Sequence, residues 1–258
     1  MPLKEASASR LFGDRAALVT GAGSGIGRAI ARQLAAEGAS VVVSDIDESG
    51  GAETVRAIQA EAGRAVFVRA DASRPEDSEA LAAAAVAEFG GLHIAVNNAG
   101  IGGPSTPAGE YPLEGWGRVI GVNLSGVFYG MRYQLPAMLE SGGGSIVNVA
   151  SILGQVGFRN SCAYVAAKHG VVGLTRTAAL EYAARKIRVN AVGPAFIKTP
   201  LIEKSMTDES RAALVGLHPI GRLGESEEVA ELVTWLSSDK ASFVTGAYYA
   251  VDGGYLAQ

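Results

Sequence analysis

Tyr164 and Lys168 stand four residues apart in YVAAKHGVVGL, and Ser151 precedes the tyrosine by thirteen positions. Four residues is close to one helical turn, so a helix through this stretch stacks a phenol and an ammonium on one face. A phenol of ordinary pKa, about 10, is a poor base at neutral pH. A fixed positive charge beside it favours the phenolate and lowers that pKa. A serine hydroxyl aimed at the same point could hold a carbonyl or alcohol oxygen. The three residues outline a proton-transfer site. The pair alone also fits an ordinary helix with a half-buried tyrosine and a surface lysine, so the elements around it must decide.

The chain has 258 residues, 48% hydrophobic and 19% charged, as in a globular protein of one α/β domain. A net charge of −4 leaves no electrostatic footprint for nucleic acid. The 34 glycines follow no three-residue period, which excludes collagen. Cys162 is the only cysteine; it excludes an intramolecular disulfide, suits a reducing compartment and reads as packing rather than as a nucleophile. Residues 1 to 13 lack the apolar region of a signal peptide, and no run approaches the roughly 18 apolar residues of a membrane span. The expectation is a cytoplasmic protein of one domain over 1–258, with 1–13 an N-terminal extension.

Strands and helices alternate. Strands are expected at Ala16 to Thr20, Ser40 to Asp45, Ala65 to Asp71, Leu92 to Asn98, Gly144 to Ser151, Ile187 to Val192 and Ala247 to Gly254. Helices fill the intervals: one through Glu37 closed by Gly38, one over 49–62 closed by Gly63, and one from Pro75 to Phe89 with its proline in the first turn. Others run from Leu113 to Leu139, Ser161 to Arg185 and Glu225 to Ser237. Such alternation predicts a parallel sheet with helices on both faces.

The first strand runs into TGAGSGIG, with Gly21, Ser24, Gly25, Ile26 and Gly27 at the opening of a helix. Glycine permits φ > 0 and lets a pyrophosphate approach the backbone, while the helix start offers free N–H groups and a positive dipole end. The G-x-x-x-G-x-G spacing differs from G-x-G-x-x-G. Asp45 ends the second strand, 24 residues after Gly21. An acid there accepts hydrogen bonds from ribose hydroxyls and repels a 2′-phosphate. No Lys or Arg lies between Val41 and Glu48, which favours NAD over NADP. Asp71, followed by Ala72, either reaches an adenine amino group or caps a turn.

The turn, the acid, NNAG (Asn97 to Gly100), the Ser151–Tyr164–Lys168 spacing and VNAVGPAFIKTP together resemble the short-chain dehydrogenase/reductase family, over about Asp14 to Gly254. The resemblance implies a doubly wound, Rossmann-type seven-stranded sheet, a nicotinamide cofactor and a homotetramer. It implies a catalytic set of Asn123, Ser151, Tyr164 and Lys168, with Asn123 kinking its helix. It brings Asn98, Ala99 and Gly100 to the adenine-ribose edge and Pro194, Ile197 and Thr199 to the nicotinamide; Asn97 fits a role in fixing the sheet equally well. Two departures stand out: Pro194-Ala195 replaces the usual Pro-Gly, and His93 replaces an acid before the fourth strand. His93 reads as a structural or surface residue rather than a catalyst, and His169 points about 100° around the helix from Lys168.

Apart from Ser151 and Tyr164, the substrate contacts are expected from Leu153, Gln155, Phe158 and Phe196, with residues 194–220 as a lid. These side chains are mostly apolar, which suits a neutral, fairly hydrophobic secondary alcohol or ketone. The rivals are a 3-oxoacyl carrier-protein reductase and a non-enzymatic NAD(P)-sensing protein. No metal site is expected.

Overall fold

The computed structural model describes residues 10–200 and 207–258; residues 1–9 of the expected extension and 201–206 of the expected lid lie outside them. Seven strands form one parallel sheet in the order β3-β2-β1-β4-β5-β6-β7. They are β1 (Ala16–Thr20), β2 (Ser40–Asp45), β3 (Arg64–Arg69), β4 (Ile94–Asn97), β5 (Gly144–Val149), β6 (Ile187–Pro194) and β7 (Tyr248–Val251). The helices are α1 (Gly25–Ala36), α2 (Glu48–Ala60), α3 (Pro75–Phe89), α4 (Leu113–Ile120), α5 (Gly126–Glu140), α6 (Cys162–Tyr182), α7 (Asp208–Gly216) and α8 (Ser226–Ser237).

Strand side chains alternate between the two faces. Val19, Val41, Val43, Val96 and Val147 meet Ile30 and Leu34 of α1, Ile58 of α2 and Val229 and Val233 of α8. Leu18, Val42, Ala95 and Ile146 meet Leu81 of α3, Val127, Met131 and Met138 of α5 and Val171 of α6. Every strand but the edges is therefore apolar on both sides, as a parallel sheet covered by helices requires. The chain winds outward in both directions from the β1–β4 boundary, where a crevice opens at the carboxyl ends of the strands.

The expected elements form with shifted limits. The strand expected over Leu92 to Asn98 pairs only over Ile94–Asn97, although Leu92 is fully buried. The last strand stops at Val251, because Gly253 and Gly254 take positive φ. Gly38 closes α1 with φ +100°, but Ala62, not Gly63, takes the left-handed position after α2. The helix expected over Leu113 to Leu139 is broken by one π turn, Gly121–Ser125, between α4 and α5. A π turn inserts an extra residue and marks a functional segment in many helices.

A buried polar network ties β4 and β5 to the helices beneath them. Asn97 donates to Gln134 (3.1 Å) and Asn148 (2.8 Å), Gln134 donates back to Asn97 (2.8 Å), and Asn148 donates to Thr175 (2.9 Å). All four residues are buried. This supports the sheet-fixing reading of Asn97.

Candidate active site

The glycine turn leaves β1 with Gly21 at φ +63°. A Cβ on Gly27 would stand 2.1 Å from the Gly21 carbonyl oxygen, so only glycine lets α1 start this close to the strand. Ser24 makes no side-chain cap at the start of α1, leaving first-turn amides free for an anion. Thr20 clamps the turn to the next crossover: its hydroxyl oxygen accepts from the Asn98 and Ala99 amides (3.1 and 3.2 Å). Asn98 in turn donates to the Thr20 and Gly21 carbonyls (2.9 and 3.0 Å). The sequence marked Thr20 only as part of the turn. A hydroxyl at the end of a strand beside two loops was the signal for its role.

Asp45 accepts from the Gly23 amide (2.8 Å) and the Asp47 amide (3.0 Å), which orients its carboxylate at the crevice. Arg28, in the first turn of α1, is held by the Gly23 carbonyl, Thr54 and Glu53 and does not line the cavity. Asp71 accepts from the amide and hydroxyl of Ser73 (2.9 and 2.7 Å). It thus caps a turn with one oxygen while still lining the cavity.

One cavity of about 400 Å³ runs along the carboxyl ends of the strands. It is lined by the whole expected cofactor set: Gly21, Ser24, Gly25, Ile26, Gly27, Asp45, Asp71, Ala72, Asn98, Ala99, Gly100, Tyr164, Lys168, Pro194, Ile197 and Thr199. Ser151 stands at the same wall. The volume lies within the usual range for a cofactor or small-molecule site. The open glycine turn, the free helix start and the oriented acid fit a dinucleotide. Ala195, in place of the usual glycine, lies outside the positive-φ positions, so its Cβ brings no backbone strain.

The reacting side chains meet through tertiary contacts. Lys168 is 3% exposed and donates to the Val149 carbonyl at the end of β5 (2.8 Å). Its ammonium lies 5.5 Å from the Tyr164 ring centre. Burial depresses the Lys168 pKa to about 8. Tyr164 departs from the expected acidic phenol: burial pushes its pKa up, and only the adjacent Ser151 hydroxyl pulls it down. Desolvation of the phenolate here outweighs that hydrogen bond. The Ser151 hydroxyl oxygen accepts from the Leu153 amide (3.1 Å), and the Ser151 carbonyl accepts from the Tyr248 hydroxyl (2.9 Å). Burial and Asp252 raise the Tyr248 pKa, so it remains a firm donor. Its hydroxyl would lie 1.8 Å from a Cβ on Gly193.

Asn123 sits in the π turn, fully buried. It accepts from the Ile101 amide and donates to the Ile101 carbonyl, both at 2.8 Å. It is absent from the cavity wall, which its neighbour Val122 reaches. In place of a kink the structure shows this π turn, and Asn123 bonds Ile101 rather than facing the cavity. The expected substrate residues also divide. Ser151 and Tyr164 line the cavity, whereas Leu153 is buried behind it and Gln155 and Phe158 are exposed outside it. Phe196 lines a smaller neighbouring cavity. These positions follow from how two loops fold back, which spacing does not encode.

His93 accepts from the Ala16 amide (3.1 Å), and burial holds its pKa down, as a neutral structural acceptor. His169 is exposed and bonds the Val165 carbonyl. Among the described residues no cluster of side chains could hold a metal.

A family model described as enoyl-(acyl carrier protein) reductase matches residues 21–256. Cyclohexanol dehydrogenase of Acinetobacter sp. (strain SE19) is 54% identical over 247 residues, covering 96% of this chain and 97% of that protein. The chain belongs to the short-chain dehydrogenase/reductase family. The crystal structure of levodione reductase superposes with a TM-score of 0.92 at 40% identity, covering 95% of this chain and 99% of that one. A putative 2-deoxy-D-gluconate 3-dehydrogenase from Agrobacterium tumefaciens with bound NADP superposes at 0.89, with 37% identity over 97% of this chain and 100% of that one. As a short-chain dehydrogenase/reductase, the protein is an oxidoreductase acting on CH–OH groups with a nicotinamide cofactor.

The buried lysine has a thermodynamic signature. Its folded pKa of about 8 lies below its ordinary 10.5. Between those values the unfolded chain binds more protons at this side chain, so stability rises with pH. The gain is complete above the unfolded value and is lost as pH falls through the folded one. Relative to Lys168→Met, the wild type should gain about 3 kcal/mol across this window. Urea unfolding of both proteins along the pH series checks this, and a constant difference between them refutes it.

Proposed function

We propose that the protein is an NAD-dependent dehydrogenase of a neutral, fairly hydrophobic secondary alcohol, cyclic in form, and a reductase of the matching ketone. The observation that carries this reading is the single cavity joining the glycine turn and Asp45 to Ser151, Tyr164 and Lys168. When bound, the nicotinamide accepts or returns hydride. Ser151 holds the substrate oxygen by a hydrogen bond. In oxidation, the phenolate form of Tyr164, which burial disfavours and the Ser151 hydroxyl favours, takes the alcohol proton while hydride leaves the carbinol carbon. In reduction its phenol protonates the developing alkoxide. Lys168 supplies positive charge near the phenol and a donor for the nicotinamide ribose. Asn123 positions the loop at Ile101.

The turn and the start of α1 hold the pyrophosphate, and Asp45 the adenosine ribose. Asp71, Ala72 and Asn98 to Gly100 line the adenine side, and Pro194, Ile197 and Thr199 the carboxamide. The preference for NAD rests on the Asp45 carboxylate, fixed by two amides, with no cation beside it on the cavity wall among the described residues. An NADP-bound relative of the same fold means that side chains, not the fold, decide this. The cyclic alcohol rests on similarity to cyclohexanol dehydrogenase and on the apolar surroundings.

A 3-oxoacyl carrier-protein reductase is less well supported. Lys198 and Arg222 are paired with Glu225 and Glu228 rather than free for a carrier phosphate. A cofactor-sensing protein without catalysis would not need Ser151, Tyr164 and Lys168 in one wall. We read the chain as one domain, at home in the reducing cytoplasm. A homotetramer would cover the exposed Leu113, Leu180 and Phe243.

Tyr164→Phe should slow hydride transfer about 10²- to 10⁴-fold with cofactor binding retained; single-turnover kinetics at the wild-type rate reject the assignment. Titration with NAD and NADP, followed by a panel of cyclic and linear alcohols, should show tighter NAD binding and preference for cyclic substrates. A strong preference for NADP overturns the role given to Asp45. Light scattering should give four times the chain mass, and a monomer rejects the tetramer.

A further inference from the structure

Phe196 lies between Ala195 and Ile197, which both line the large cavity. Its own side chain lines a separate cavity of about 60 Å³, walled also by His218, Ile220, Val251 and Gly253. The segment Ala195–Ile197 is therefore not backed throughout by close-packed core. A wall next to a void loses dispersion contacts on that side and takes its position from the groups that grip it elsewhere.

The grip on Phe196 combines hydrogen bonds with ring contacts: its amide donates to His218 Nε2 (3.5 Å) and its carbonyl accepts from the Gly224 amide (3.0 Å). Its ring centre lies 5.8 Å from His218 in an edge-on arrangement, 6.0 Å from Phe158 and 6.2 Å from Tyr255. His218 and Tyr255 are themselves 5.8 Å apart. These separations suit attractive ring contacts. His218 is buried, and its Nδ1 lies 2.7 Å from the Leu214 carbonyl, which assigns the proton to Nδ1 and keeps the ring in place. Tyr255 sits on a 3₁₀ turn at the C-terminus. Asp252 holds that turn by accepting from the Gly254 and Leu256 amides (3.0 and 2.9 Å). The Ile220 amide donates to the Gly253 carbonyl (3.1 Å), and the Gln258 side chain donates to the Leu217 carbonyl (3.0 Å). Phe158 belongs to the loop joining Ser151 to Tyr164. The Phe158–Phe196 contact thus bridges the two segments that flank the reacting end of the cavity.

We infer that Tyr255, acting with His218, is a specificity-determining positioning residue. The C-terminal turn braces Phe196 and Phe158, and this brace sets the shape of the apolar end that receives the alcohol. The inference rests on the dehydrogenase reading above and extends it to residues that touch neither cofactor nor reacting atoms.

The test compares Tyr255→Leu with Tyr255→Phe in the full-length enzyme, using NAD and cyclohexanol. Tyr255→Leu should raise the KM for the alcohol about three- to tenfold, while kcat and the KM for NAD stay within about twofold. Tyr255→Phe, which keeps the ring, should match wild type. An unchanged alcohol KM in Tyr255→Leu overturns the inference, as does a parallel rise in the KM for NAD, which marks general loosening. Hydrogen exchange gives a readout without substrate: amides over residues 195–198 should exchange faster in Tyr255→Leu and not in Tyr255→Phe. Unchanged exchange overturns the brace. A wild-type enzyme inactive on every cyclic alcohol, with the variants still showing this exchange pattern, rejects the cyclic-alcohol reading and supports the brace.

Discussion

The burial of one ammonium organises the site. Lys168 is almost wholly removed from water, and a buried charge without a partner is prohibitively costly. Its bond to the Val149 carbonyl offsets part of that cost and fastens α6 across the carboxyl end of β5. Ser151 lies two residues beyond Val149, and Tyr164 one helical turn before Lys168. One contact therefore brings the hydroxyl, the phenol and the ammonium to the same wall. Burial also draws the lysine and tyrosine pKa values apart from their ordinary positions, the lysine downward and the phenol upward. The lysine thus has a packing role and an electrostatic role at once.

Around this contact, polar groups brace the loops that form the cavity. Thr20 joins the glycine turn to the loop after β4, Asn123 holds Ile101 by both its amide atoms, and Tyr248 holds the Ser151 carbonyl. Beneath them, Asn97, Gln134, Asn148 and Thr175 join two strands to α5 and α6. A buried amide left unpaired costs about 1–3 kcal/mol, so such networks favour one arrangement of the loops. Hydrogen bonds hold the loops around the glycine turn, and aromatic contacts join them at Phe196.

The alternation of strands and helices was legible because apolar periodicity and helix-end residues are local signals. Pro75 in the first turn of α3 and Gly38 after α1 both stand where those signals put them. The left-handed position after α2 falls on Ala62 rather than Gly63, against the local preference for glycine, so no local signal marks it. The π turn at Gly121–Ser125 escaped the helical pattern altogether, since one added residue leaves the composition of a helix unchanged.

The sequence by itself determined the parallel sheet, the glycine turn with Asp45, and the Ser151–Tyr164–Lys168 set, since each rests on residue type and short spacing. Tertiary structure alone decided that Asn123 stands behind the wall, that burial raises the Tyr164 pKa, and that Phe196 turns from the main cavity toward His218 and Tyr255. These outcomes depend on which distant segments meet and how much water they exclude. Desolvation and ring packing are properties of that assembled surface, and no short stretch of chain contains them.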